Sequence, residues 1–251
     1  MQLNCDMGES FGPWQMGNDQ AVMPWIDMAN IACGFHASDP DTMSNTVKQA
    51  VNCGVTIGAH PGFNDKTGFG RRPIPHSPES ITWLVAYQVG ALDAICQQHG
   101  TRVKYIKPHG ALYHGMMNNP EVFEAIVISA ANLDFRPSLM IQALNSDEPQ
   151  KALQKKTADR YSVPLIYEAY ADRAYDDHGL LVSRSLPGAV HRDSSAILQQ
   201  VRSLLSGEVS TISGKRLKLK ADSLCVHGDN PDAIALIQQI RQIVTSTDAT
   251  P

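Results

Sequence analysis

Val103-Lys104-Tyr105-Ile106-Lys107-Pro108-His109-Gly110 reads as a short β-rich run that stops at a cation, a proline, an imidazole and a glycine. Parallel strands covered by helices are apolar on both faces, and they deliver their C-terminal ends to one side of the sheet. Ionisable groups placed just past such a run therefore point to a site. Four more stretches end in the same way: Asn4-Cys5-Asp6-Met7-Gly8-Glu9, Cys33-Gly34-Phe35-His36, Gly58-Ala59-His60-Pro61-Gly62 and Val226-His227-Gly228-Asp229-Asn230. In a closed barrel these ends converge on one mouth.

Working outward, β-rich runs are expected over Leu3 to Asp6, Met28 to Cys33, Val55 to His60, Val103 to Lys107, Ser138 to Ala143, Val163 to Glu168 and Ser223 to His227. Helix starts are marked by a short polar residue followed by proline at Asp39-Pro40, Ser77-Pro78, Asn119-Pro120 and Asn230-Pro231. The polar side chain bonds an orphan amide, and proline takes the first helical position, where its missing N–H costs nothing. Met43, Val47, Ala50 and Val51 form one apolar face that stops at Gly54. Ile81, Leu84, Val85, Val89, Leu92, Ile95 and Cys96 form another that ends at Gly100. Strand and helix alternate throughout. The expectation is an α/β fold, a seven-stranded β/α (TIM-like) barrel in one domain over residues 1–251, with a frayed tail at 245–251. An open doubly wound sheet is the alternative.

The chain has 251 residues and a formal net charge of -4, with 21 basic and 25 acidic residues and no basic block. That excludes a footprint for nucleic acid or an anionic membrane surface. Five cysteines without a Cys-x-x-Cys pair offer neither a complete disulfide framework nor a thiolate zinc knuckle. With no leader and no apolar membrane span, a cytoplasmic location is expected.

The chemistry sits at the strand ends. Asp6 and Glu9 flank Gly8, so both carboxylates can turn into one cavity as base or metal ligand. His36, His60, His109 and His227 reach equivalent positions on different strands, and Asp6 with His36 and His60 makes a mixed oxygen and nitrogen set for a divalent metal. Lys107 beside His109 can meet a carboxylate, carbonyl or phosphate. The loop from Gly62 to Arg72 is either an anion cradle using Arg71 and Arg72 or a mobile lid. Glu168, Asp172 and Arg173 follow another strand, where an internal salt bridge is the plainer reading. Asp229 closes the series. No Gly-x-Ser-x-Gly elbow is present, and Cys5 and Cys33 sit among apolar neighbours, which makes them structural thiols.

Taken together, the five strand-end motifs resemble those of the LamB/YcsF lactam-utilisation family, over Asn4 to Asp232. The resemblance implies a barrel of the glycoside hydrolase/deacetylase type. It also implies conversion of 5-oxo-L-proline, ATP and water to L-glutamate, ADP and phosphate, in a complex with two partner subunits, PxpB and PxpC. For such a lactam, chemistry suggests Asp6 as base for water, His60 or His109 as acid for the departing nitrogen, and Lys107 with Arg71 or Arg72 on phosphate or carboxylate. Asn4, Glu9, His36, Glu168, Asp172, Arg173, His227 and Asp229 complete the expected substrate site. A metal-dependent amidase or carbohydrate deacetylase, and a non-catalytic lactam-binding component, remain as alternatives.

Overall fold

The computed structural model describes residues 1–145, 147–184, 186–227 and 234–248. In chain order its strands are β1 (Gln2–Met7), β2 (Met28–Ala32), β3 (Thr56–His60), β4 (Tyr105–Ile106), β5 (Ser138–Gln142), β6 (Leu165–Tyr170), an antiparallel pair β7 (Glu208–Ser210) and β8 (Arg216–Lys218), and β9 (Ser223–Val226). Strands β1 to β6 and β9 are all parallel and close into a seven-membered barrel, as the sequence suggests. The pairing of Asn4 in β1 with Cys225 in β9 closes the seam and rules out an open sheet. The pair β7 and β8 lies outside the barrel and has no counterpart among the expected strands.

Around it run α1 (Asp19–Val22), α2 (Pro40–Cys53), α3 (Pro78–Gln98), α4 (Gly110–Asn118), α5 (Pro120–Asn132), α6 (Pro149–Arg160), α7 (Ser194–Leu205) and α8 (Ile237–Asp248). Three of the expected cap-proline starts are present. Asp39 accepts from Thr42 N–H at 2.8 Å, Ser77 from Ser80 N–H at 3.1 Å and Asn119 from Glu121 N–H at 2.9 Å. Asn230-Pro231 lies outside the described residues. The expected α2 stripe is correct for Met43, Val47 and Ala50, but Val51 is exposed. The stretch expected as a tail, 245–251, begins inside α8, which runs to Asp248. No helix among the described residues is long and apolar enough to cross a membrane.

The barrel interior is layered. Met28, Tyr105 and Met140, with Ile166 packed on them, form an apolar plug separate from the larger core between strands and helices. Tyr105 fits only because β3 carries glycine beside it, since a Cβ on Gly58 would lie 2.2 Å from the ring. Towards the C-terminal ends of the strands the interior turns polar. Asn4, Asn30, Lys107 and Glu168 are buried there, and hydrogen bonds rather than apolar contacts must hold this layer.

Candidate active site at the barrel mouth

The centre of the mouth is a buried ammonium. Lys107, just past β4, is 3% exposed. It lies 3.1 Å from Asp6 Oδ1, 3.0 Å from Glu168 Oε2 and 3.3 Å from Asn4 Oδ1. Its Nζ also reaches Cys225 Sγ at 3.2 Å. Asn30 donates to Asp6 Oδ1 at 2.8 Å and to Asn4 Oδ1 at 2.9 Å, while accepting the Tyr105 hydroxyl at 2.6 Å. Tyr170 donates to Glu168 Oε1 at 2.6 Å. Burial alone would raise the Asp6 carboxyl, but Lys107 and His60 overcome it and hold the group well below the usual carboxylate range. Burial likewise opposes charge on Lys107, and Asp6, Cys225 and Glu168 outweigh it, so the ammonium persists far above its ordinary range. The Cys225 thiol is pushed up by burial, which makes it an inert acceptor and no nucleophile.

Beside this network stand three imidazoles. His60 Nδ1 lies 2.6 Å from the carbonyl oxygen of Lys107, and His109 Nε2 lies 2.8 Å from that of Phe69. A carbonyl can only accept, so these two nitrogens carry the ring protons. In the neutral rings the remaining nitrogens, His60 Nε2 and His109 Nδ1, are bare, and they face each other at 2.9 Å. His36 stacks on His109 with centroids 3.8 Å apart, and its Nε2 lies 3.3 Å from Glu9 Oε1. Burial, followed by the neighbouring imidazoles, pushes both His36 and His109 well below the ordinary imidazole range.

Two opposed lone pairs need a proton or a metal cation between them. The donor atoms of Glu9, His36, His60 and His109 all lie within 4.8 Å of one another, and His36 Nδ1 is buried with no hydrogen-bond partner. Imidazoles that ligate metals commonly donate their outer N–H to a carbonyl, as His60 and His109 do here. The residues therefore fit a divalent metal. The oxygen donor of this cluster is Glu9, where the sequence suggested Asp6, because both Asp6 oxygens already face Lys107, Asn30 and His60. Asp6, Cys225 and His227 form a second such trio, weakened as a metal site by its protonated thiol.

Asp6, Glu9, His60, Arg71, Lys107, His109, Arg173 and His227 line a common cavity of about 240 Å³. His227 Nδ1 is 2.8 Å from Asp172 Oδ1, a buried carboxylate that orients the ring. Asn4 and Glu168 lie in the buried network, and His36 lines a neighbouring groove with Phe11 and Trp14. Arg72 is turned away: it pairs with Asp65 in its own loop and does not line the cavity. Asp229 lies outside the described residues. The loop from Gly62 to Arg72 packs over the mouth and brings Arg71 to the cavity. Phe69 sets its edge against His36 and His109, and Gly70 O accepts from Ala111 N–H at 2.9 Å. The loop and α4 touch so closely that a Cβ on Gly110 would lie 2.6 Å from Gly70 O.

Sequence reasoning missed Asn30, Tyr105 and Tyr170. A lone amide inside the apolar run Met28-Ala29-Asn30-Ile31-Ala32 was the available signal for the first.

A model of the LamB/YcsF family matches residues 1–250. A protein of Vibrio parahaemolyticus, named as the A subunit of 5-oxoprolinase, is 56% identical over 247 residues, covering 98% of this chain and 96% of the relative. One of the same name from Pseudomonas fluorescens is 52% identical over 241 residues, covering 96% and 95%. Among solved structures, a lactam utilization protein from Thermus thermophilus superposes with a TM-score of 0.88 at 33% identity, covering 99% of this chain and 97% of the other.

Proposed function

The chain belongs to the LamB/YcsF family, and from that premise we propose that it serves as the A subunit of an ATP-dependent 5-oxoprolinase. It opens 5-oxo-L-proline to L-glutamate as ATP is hydrolysed to ADP and phosphate, in the cytoplasm and together with PxpB and PxpC subunits. The observation that carries this reading is the 56% identity, over nearly the whole of both chains, to a protein named as the A subunit of 5-oxoprolinase. A mouth built of carboxylates and imidazoles suits amide opening.

A lactam is a poor electrophile, and transfer of a phosphoryl group from ATP to its carbonyl oxygen makes the ring carbon open to water. Asp6 then takes a proton from the attacking water, the C–N bond of the resulting tetrahedral carbon breaks, and a second water releases phosphate from the acyl phosphate so formed. Its Oδ1 is held by Asn30 and Lys107, and Oδ2 lies 3.5 Å from His60 Nε2. Because its carboxyl is held so low, Asp6 is always in the accepting form, though as a weak base. A divalent ion held by Glu9, His60 and His109, with His36 beside them, would acidify a water or polarise the carbonyl.

The acid for the ring nitrogen is His227 as the imidazolium, which gives its Nε2 proton to the departing nitrogen. Asp172 accepts its Nδ1–H and leaves Nε2 to work in the cavity, the same division of labour that orients catalytic imidazoles elsewhere. The inner nitrogens of His60 and His109, suggested for this task by sequence, face each other instead. Lys107 stabilises the two carboxylates and is too enclosed by them to grip a phosphate.

The test is glutamate release from 5-oxo-L-proline, with and without ATP and with and without the partner subunits. Glutamate that requires both is the expected result. Glutamate from this chain alone without ATP would overturn the coupling.

A further inference from the structure

The cavity carries a second charged cluster that lactam opening does not use. Arg173, Arg184 and His114 line it together with Ser183 and Leu181. Arg173 is 3% exposed, and its guanidinium donates to Ala189 O at 3.2 Å and Val182 O at 2.6 Å. Those neutral acceptors fix the group in place, and the buried Asp172 carboxylate next to it in sequence also acts on its charge. His114, from α4, is held below the ordinary imidazole range by burial and then by Arg173 and Arg184. Arg173 is itself lowered by burial and then by Arg184. Three cationic or cationisable side chains thus line one cavity, in a chain whose net charge is -4. Basic side chains gathered on one cavity wall suit an anionic ligand, and a planar oxyanion suits guanidinium donors best. A cavity of about 240 Å³ suits a metabolite of a few heavy atoms, since drug-sized ligands occupy roughly 300–1,000 Å³.

We propose that Arg173, Arg184 and His114 form an oxyanion subsite that takes the carboxylate of the substrate, so that the acid group, and not the ring alone, selects 5-oxo-L-proline. This rests on the reading of the mouth as a lactam-opening site. Arg173 is the fixed member, anchored on two carbonyls. Arg184 and His114 approach from the rim and complete the grip. The carboxylate end of the ligand is thereby directed away from the imidazoles, and the amide end towards Asp6 and His227.

The full-length chain and its Arg184→Gln, Arg184→Lys and His114→Gln variants are titrated calorimetrically with 5-oxo-L-proline, with 2-pyrrolidinone, which is the same ring without the acid, and with inorganic phosphate. The expected result is binding of 5-oxo-L-proline well above 2-pyrrolidinone, weakened about 10- to 100-fold in Arg184→Gln and partly restored in Arg184→Lys. Equal affinity for the two lactams, or equal affinity of wild type and Arg184→Gln for 5-oxo-L-proline, overturns the subsite. Phosphate binding that depends on Arg184, without 5-oxo-L-proline binding, overturns its assignment to a carboxylate. Glutamate release by the wild-type complex is measured alongside, so failure of the lactam reading shows as no glutamate, whatever the variants bind.

Discussion

His60 and His109 meet through two bare ring nitrogens at 2.9 Å, each ring held in that tautomer by a backbone carbonyl on its far side. The pair is poised for a cation. Titration of metal-stripped protein with a divalent transition metal should show one bound equivalent, and Glu9→Gln or His109→Asn should weaken it at least tenfold, since each removes a donor. Elemental analysis that finds no metal retained by the wild type after such loading would refute the site.

Lys107 is enclosed by two carboxylates in a buried layer. Replacing it with methionine leaves Asp6 and Glu168 without their counter-ion, a loss of about 3–5 kcal/mol in stability by urea unfolding. Adding Glu168→Gln to Lys107→Met should recover part of that loss. If Lys107→Met alone unfolds at the wild-type midpoint, the ammonium is not what holds this layer together.

Asp6→Asn and His227→Gln should each lower glutamate release by the assembled complex about 10²- to 10⁴-fold, with the fold retained. Asp172→Asn should follow His227→Gln, because it lets the ring lose its orientation. A His227→Gln complex that turns over normally would remove the acid from the mechanism.

The histidines give the stability an acid edge. His36 and His109 are pushed below the ordinary imidazole range in the folded chain, so the unfolded chain binds more protons as pH falls through about 6.5. Their contribution is intact above that value and is lost progressively below it, with a slope of up to about 1.4 kcal/mol per pH unit for each ring. Melting temperature measured from pH 8 to 5 should fall more steeply for wild type than for His36→Asn, and parallel curves would contradict the assignment.

Gly58→Ala should destabilise the barrel by about 1–3 kcal/mol, since the new methyl would collide with the Tyr105 ring inside the barrel. Tyr105→Ala should relieve the collision in the double variant, measurable by thermal unfolding. A Gly58→Ala chain as stable as wild type would mean that the ring has room to move.

The barrel was legible because its strands are apolar runs with charged ends, and the capping residues before Pro40, Pro78 and Pro120 fixed three helices. The mouth residues were legible for the same reason. What the sequence did not reveal was their pairing. Nothing local distinguishes Arg71, which faces the cavity, from Arg72, which turns to Asp65. The commitment of His60 to the Lys107 carbonyl depends on the register of β3 against β4, a relation across 47 residues. Tyr105 read as an ordinary strand aromatic because its partner, Gly58, is noticeable only once the two strands lie side by side.

The seam between β1 and β9 has a consequence for how the chain is made. Asn4 and Ser223, hydrogen-bonded at 2.8 Å, stand 219 positions apart. At roughly 5–20 residues per second, a ribosome needs on the order of 10–40 s to deliver the last strand after the first. Throughout that interval the nascent β1 presents an open edge, joined by β6 once that strand has been made, and such edges are the surfaces on which unfinished sheets find wrong partners. Since β1 carries Asp6 and β9 carries Cys225, the interior around Lys107 is completed only when β9 emerges. Activity in a cell extract is therefore a report on chains that finished synthesis and closed, and chaperone supply during translation should govern its yield.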